Sequence, residues 1–335
     1  MDERIRTGVV GVGHFGRYHA QKYAALECAS LVAVADVDRR RAEEIAGPLD
    51  AEAVSDYRAM FGGVDAVSIA VPTRAHFEVA KAFLENGIHV LLEKPIADSV
   101  EAADALIAIA RDNGALLQIG HLERFSAPYL AIGGDVTRPL YIESERIAPY
   151  QPRGTDVDVI LDVMIHDIDL IQALVGSPVR SVDAVGAPVL SSREDIANTR
   201  VCFANGCVAN ITASRVSQKT QRRLRIFQPE SYLMVDFQEC RIVHMRKGAG
   251  EMFPGVPNID QKVRHYEKGD SLQREIAAFL DAIATGGAPV VDGEAGREAL
   301  NTALMIGDSL REHWRLVHEG ASPAPTGSPT TRATG

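Results

Sequence analysis

At 335 residues the chain is long enough for two domains, and 46% hydrophobic against 24% charged residues excludes disorder of the whole. Its 45 acidic residues outweigh 35 basic ones, and the net charge of −10 argues against nonspecific binding to nucleic acid or to an anionic membrane surface. Four scattered cysteines (Cys28, Cys202, Cys207, Cys240) offer neither a disulfide framework nor a Cys-x2-Cys pair, so no metal is expected and a reducing, cytoplasmic setting fits best. From the N-terminus, short apolar runs predict strands at 5–10, 31–35, 66–71, 90–92 and 116–119, with no signal-peptide pattern before them and no run as long as a membrane span. Helical patterns at 75–84 and 100–110 alternate with these runs. The second opens on Asp98-x-x-Glu101, read as a capping box, and closes at Asn113-Gly114. Residues 1–121 therefore read as a Rossmann-type, doubly wound parallel sheet.

Beyond residue 121 the texture changes to strands of period-two character at 140–147, 180–185, 199–204, 208–214, 223–227 and 232–237. Asn205-Gly206 between two of them is a hairpin signal, so the pairing should be antiparallel. One amphipathic helix is expected at 156–175 and two more at 272–284 and 295–313. The Gly- and Pro-bearing stretch 248–269 reads as an irregular loop. Residues 122–320 thus form an α+β domain with an open, mainly antiparallel sheet, and the Pro/Ser/Thr-rich 321–335 a disordered tail.

Gly11-Val12-Gly13-His14-Phe15-Gly16 fits the dinucleotide fingerprint and lies between the first strand and the first helix, where the free amides of a helix start favour a pyrophosphate. Asp36 ends the second strand 20 residues beyond Gly16, where a carboxylate can accept from both ribose hydroxyls. A 2′-phosphate would meet like charge there, which favours NAD over NADP. Arg39, Arg40 and Arg41 could still pair with a phosphate, or form a solvated helix start. Val71-Pro72-Thr73 and Glu93-Lys94-Pro95 follow parallel strands at their carboxyl ends, the ligand side of such a sheet. The residues expected at the cofactor are Gly11, Gly13, His14, Phe15, Gly16, Asp36, Pro72, Thr73, His76, Glu93 and Lys94. Lys94, between a buried run and a proline, could stabilise an alkoxide, or be salt-bridged to Glu93 for stability alone. On the helix at 156–175, Asp158, Asp162, His166 and Asp169 form one polar stripe on an otherwise apolar surface. Asp162 and His166 stand one turn apart, so the carboxylate could fix the imidazole tautomer and leave its other nitrogen to take a proton.

Taken together, Gly11–Gly16, Glu93-Lys94-Pro95 and Asp162-x3-His166 before an open sheet resemble the Gfo/Idh/MocA family of sugar-related oxidoreductases over nearly the whole chain. The resemblance implies that Lys94, Asp162 and His166 are the catalytic group and that the first domain holds a nicotinamide cofactor. The segments 152–169 and Gly120-His121-Leu122-Glu123-Arg124-Phe125 are similar to a branch that oxidises UDP-N-acetylglucosamine at C3. Where that branch more often has Asn after Arg-Phe, this chain has Ser126. The similarity implies a nucleotide-sugar substrate and a following aminotransferase, feeding in some bacteria a lipid A built on a diamino sugar. Lys94, Arg124, Arg153, His166 and Lys219 are expected at the substrate, with Arg222 and Arg223 as further cations for its phosphates. Lysine and histidine could exchange roles. UDP-N-acetylglucosaminuronate as substrate and a catalytically silent NAD-binding regulator are the alternatives, and a homodimer or homotetramer through the sheet's free face is implied.

Overall fold

The computed structural model describes residues 4–151 and 158–320. Its first sheet comprises β1 (Ile5–Val10), β2 (Ala29–Ala35), β3 (Glu52–Val54), β4 (Ala66–Ile69), β5 (His89–Glu93) and β6 (Leu117–Gly120). They run parallel in the order β3-β2-β1-β4-β5-β6, so the chain reverses its direction of winding beside β1. The helices that alternate with them are α1 (Gly16–Ala25), α2 (Arg39–Ala46), α3 (His76–Glu85) and α4 (Val100–Asp112). β4 is buried at every residue, as a strand covered on both faces must be. The expected Asp98 capping box is displaced by one residue: Ser99 is the cap, its hydroxyl accepting from the Ala102 amide at 3.2 Å. β3, a three-residue edge strand, is too short for a periodicity signal.

The chain then passes through α5 (Ala127–Ile132) to β7 (Tyr141–Ile147), α6 (Ile165–Val175), β8 (Val179–Ala187), β9 (Ile196–Phe203), β10 (Val208–Ser214), β11 (Gln221–Gln228), β12 (Ser231–Asp236), β13 (Arg241–Phe253) and β14 (Val256–His265). The eight strands order as β14-β13-β12-β11-β7-β10-β9-β8 and are antiparallel except for β7 beside β10. Of the two residues in the 205–206 turn, only Gly206 takes a positive φ, +88°. The irregular loop expected at 248–269 is instead mostly β13 and β14. Their outer halves are exposed at almost every residue, so the alternation that marks a half-buried strand is missing there.

Two helices close the described chain, α7 (Ser271–Thr285) and α8 (Gly293–Gly320). α8 joins α6 over one face of the second sheet, where Ala303, Ile306 and Leu310 meet Ile165, Ile168, Ile211 and Leu224. α7 returns to the first sheet. Its Ile276, Phe279 and Leu280, all under 2% exposed, share a core with Val9, Val34 and Leu91, and each such side chain contributes about 1.5–3 kcal/mol. The expected tail at 321–335 lies outside the described residues, and among those described no helix is long and apolar enough to cross a membrane.

Candidate active site

Both halves of the molecule meet at the carboxyl ends of β1, β4 and β5. A cavity of about 630 Å³ is lined there by Gly11, Gly13, Asp36, Arg41, Tyr57 and Pro72. Gly11 has φ +81°, and a Cβ on it would stand 2.8 Å from the Ala70 carbonyl oxygen. One on Gly16 would stand 1.8 Å from the Gly11 oxygen, whereas Gly13 faces open space. Two glycines thus hold the turn closed and the third leaves its backbone approachable. Asp36 is 6% exposed; it accepts from the Val12 amide at 3.0 Å and the Asp38 amide at 2.9 Å, and Arg41 leans on it at 3.3 Å. Arg39 and Arg40 instead make exposed pairs with Glu43 and Glu44. These features fit a dinucleotide laid from Asp36 across the glycines.

A second cavity, of about 380 Å³, shares Val71, Pro72 and Arg74 with the first and adds Phe15, Thr73, Glu93, Lys94 and Asp162. His14 packs edge-on against the half-exposed Phe15. His76, expected at the cofactor, is 1% exposed. It lines the second cavity with its Nδ1 2.8 Å from the Pro95 oxygen and its Nε2 2.9 Å from the Val71 oxygen, so the ring is wedged between the two loops and, when neutral, donates to one carbonyl at a time. Burial pushes its pKa down.

Lys94 precedes a cis peptide bond to Pro95 and points into the seam. It is not bridged to Glu93. That carboxylate, which burial alone would push up, is held below the usual carboxylate range by His19, whose Nε2 is 3.1 Å away and whose Nδ1 is fixed by Ser68. Lys94 Nζ donates to the main-chain oxygen of Asp162 at 2.7 Å and lies 3.7 Å from its carboxylate. Burial lowers its pKa, against the pull of Asp162 and Glu93. The expected hydrogen bond from Asp162 to His166 is not formed: residues Ile160–Met164 make a π-turn, hydrogen-bonded to the fifth residue on, and the wider turn takes Asp162 off the histidine's stripe and towards Lys94. His166 Nδ1 is buried without a hydrogen-bond partner. Burial, then the charges of Lys94 and Arg146, hold its pKa well below the usual value, so the imidazole is neutral near pH 7 and able to take a proton.

A third cavity, of about 400 Å³, opens from Lys94 and His166 towards Glu123, Arg146, Gln151 and Arg222. Arg146, missed from the sequence, is 6% exposed and donates to Asp167 at 2.9 and 3.0 Å and to Glu123 at 2.8 Å. Its signal was present, because Ile142, Ser144 and Arg146 are the alternate inward positions of β7. Arg222 is half-exposed, with one contact to Glu123 at 3.4 Å. Three expected substrate contacts are otherwise disposed. Arg124 is held bidentately by Asp169 at 2.7 and 2.8 Å, a nearly buried pair that faces inward. Arg223 alternates to the opposite face of β11 and reaches Asp236 and the neighbourhood of Glu143. Lys219 is exposed between β10 and β11, away from the residues that line the cavity. Arg153 lies outside the described residues.

Comparison with known proteins agrees with this geometry. The oxidoreductase family model GFO_IDH_MocA, described as an NAD-binding Rossmann fold, matches residues 5–121, and the GFO/IDH/MocA C-terminal domain matches 136–231. UDP-N-acetylglucosamine 3-dehydrogenase of Acidithiobacillus ferrooxidans is 43% identical over 304 residues, 90% of this chain and 96% of that protein. A solved structure of that enzyme, GnnA, superposes with a TM-score of 0.87 at 41% identity, covering 92% of this chain and 98% of the other. The scyllo-inositol 2-dehydrogenase (NAD(+)) of Bacillus subtilis is 27% identical over 93% of this chain and 95% of its own.

Proposed function

Since the chain belongs to the GFO/IDH/MocA oxidoreductase family, we propose that it oxidises the C3 hydroxyl of UDP-N-acetylglucosamine to the 3-keto nucleotide sugar. It is an NAD-dependent oxidoreductase, in keeping with the family's NAD-binding fold, and the nicotinamide when bound supplies the hydride acceptor. The reading is carried by the convergence of Lys94, Asp162 and His166 where the dinucleotide cleft meets the third cavity. The choice of sugar follows the named activity of the Acidithiobacillus enzyme.

In this reading neutral His166 takes the hydroxyl proton at Nε2. Lys94, steadied by the Asp162 main-chain oxygen, stabilises negative charge growing on the substrate oxygen. Asp162 acts on the lysine rather than on the histidine. Arg222 is the cation for the diphosphate, being the arginine of the third cavity with a single, long protein contact. A homodimer or homotetramer is expected through the polar open face of the second sheet; a monomer in light scattering overturns that part. The 3-keto product suits a downstream aminotransferase in lipid A or surface-polysaccharide synthesis, and the enzyme is expected to work in the cytoplasm.

The test is incubation with NAD and UDP-N-acetylglucosamine in the presence of hydroxylamine, followed by mass spectrometry. A trapped oxime that disappears with Lys94→Ala and with His166→Ala is the expected result. Oxime from UDP-N-acetylglucosaminuronate alone moves the substrate to the uronate. NAD binding without product from either sugar overturns the catalytic reading.

A further inference from the structure

Ten buried side-chain polar atoms among the described residues have no hydrogen-bond partner, and six of them belong to four side chains behind Lys94. They are His166 Nδ1, both ring nitrogens of His121, both carboxyl oxygens of Glu275 and Gln118 Oε1. Buried polar groups are nearly always satisfied in a native protein, so this concentration calls for a cause. These four residues come from one neighbourhood. Glu93 on β5 is level with Gly120 on β6, so Lys94 and His121 leave the sheet side by side. His121 is 1% exposed, and its Nδ1 lies 3.8 Å from Asp169 Oδ2. Asp169 follows His166 by three residues on α6, hence on the same side of that helix. Glu275 on α7 is fully buried, and its main-chain oxygen accepts from Gln118 Nε2 at 3.3 Å.

We infer that His121 is the second station of the proton removed in the oxidation, receiving it from His166 through internal water held by Gln118 and Glu275. The inference rests on His166 being the base, as proposed above. For Nε2 of a neutral imidazole to accept a proton, the ring must already carry one on Nδ1, and His166 Nδ1 is buried without a partner, on a ring near enough to His121 to feel its charge. The substrate O–H bond breaks and an N–H bond forms at Nε2. The Nδ1–H bond then breaks, and one proton appears on His121, whose imidazolium is met by Asp169. His166 is left neutral on the tautomer that an imidazole flip or the reverse transfer resets. The orphan oxygens and nitrogens supply the two to four partners an internal water needs.

The groups that face His121 suit a transient charge. Asp169 attracts it, while Arg124 beside Asp169 and Lys94 beside Glu93 oppose it, and burial keeps the resting ring neutral. Burial, then the neighbouring Glu93 and Asp169, push the Glu275 pKa well above the usual carboxylate value, which weakens it as a countercharge that would trap the proton. His121 does not line the third cavity, and it acts through His166 as a positioning and relay group.

The test compares wild type with His121→Asn and His121→Gln under saturating NAD and UDP-N-acetylglucosamine. The relay predicts a fall in kcat of about tenfold or more with KM little changed, and partial recovery of kcat as imidazole is added. In mixtures of light and heavy water the wild-type rate should curve with deuterium fraction, as more than one proton moves, and the variants should give a straight line. Wild-type kcat in a folded variant, or a straight line for wild type, overturns the inference. The wild-type measurement needs no variant to fold. Absence of wild-type turnover on the sugar instead overturns the proposed reaction, which keeps the two failures distinct.

Discussion

Replacing Arg146 with Met keeps much of the side chain's volume and removes one charge from the wall of the third cavity. Three charge-assisted hydrogen bonds disappear, two from Asp167 and one from Glu123. Glu123 keeps Arg222 at 3.4 Å, but Asp167, 3% exposed, loses both donors from the guanidinium. Removing one partner of a buried pair leaves an uncompensated charge, at a cost of about 3–5 kcal/mol. That range corresponds to about two to four orders of magnitude in the unfolding equilibrium. The single tryptophan, Trp314, lies on α8, so urea unfolding followed by its fluorescence reports on the half of the molecule that holds the pair. The same change has a second readout. Arg146 is one of the cations that hold the His166 pKa down, so without it the imidazole binds a proton at higher pH. Protonated His166 cannot act as base, and the acid limb of kcat/KM should therefore move to higher pH. A stability loss below about 1 kcal/mol would show that Asp167 is not dependent on Arg146. An acid limb that stayed in place, or moved down, would refute the electrostatic account of His166.

Other expectations follow from single contacts. His76→Ala removes the brace between the Val71 and Pro95 carbonyls and should weaken NAD binding by about tenfold in calorimetry; an unchanged Kd would mean that the loops hold themselves. Gly16→Ala places a Cβ 1.8 Å from the Gly11 oxygen and should abolish NAD binding while leaving the far-UV circular dichroism largely intact; retained affinity would show that the turn can open at little cost. Alkylation mapped by mass spectrometry should label exposed Cys28 well before buried Cys207, whose thiol burial pushes up to about 11; the opposite order would contradict the packing of the turn that leads into β10.

The sequence was most readable where chemistry and backbone punctuation coincide. Gly11, Gly16 and Asp36 stand where the fingerprint spacing puts them, and a lysine squeezed between an apolar run and a proline does point into the seam. It was least readable where contacts join distant segments. Nothing local to Arg124 announces Asp169, 45 residues away, and nothing near Gln118 announces Glu275, whose main-chain oxygen it meets 157 residues further on. The pairing expected between Asp162 and His166 failed for a local reason: one wide turn alters which side chains share a face, and hydrophobic periodicity over a few residues does not resolve it. The outer halves of β13 and β14 show the converse, strands recognised by their partners across the ladder rather than by alternation of their own residues.

The placement of α7 bears on how the molecule comes to exist. The strands of the first sheet are all present once Gly120 has been made, yet the helix that seals Val9, Val34 and Leu91 begins at Ser271, after the whole second sheet. A growing chain emerging from the ribosome must therefore hold an apolar sheet with part of one face uncovered while eight further strands are synthesised. A chain released early would then expose part of that apolar face, a sticky surface that the finished molecule hides.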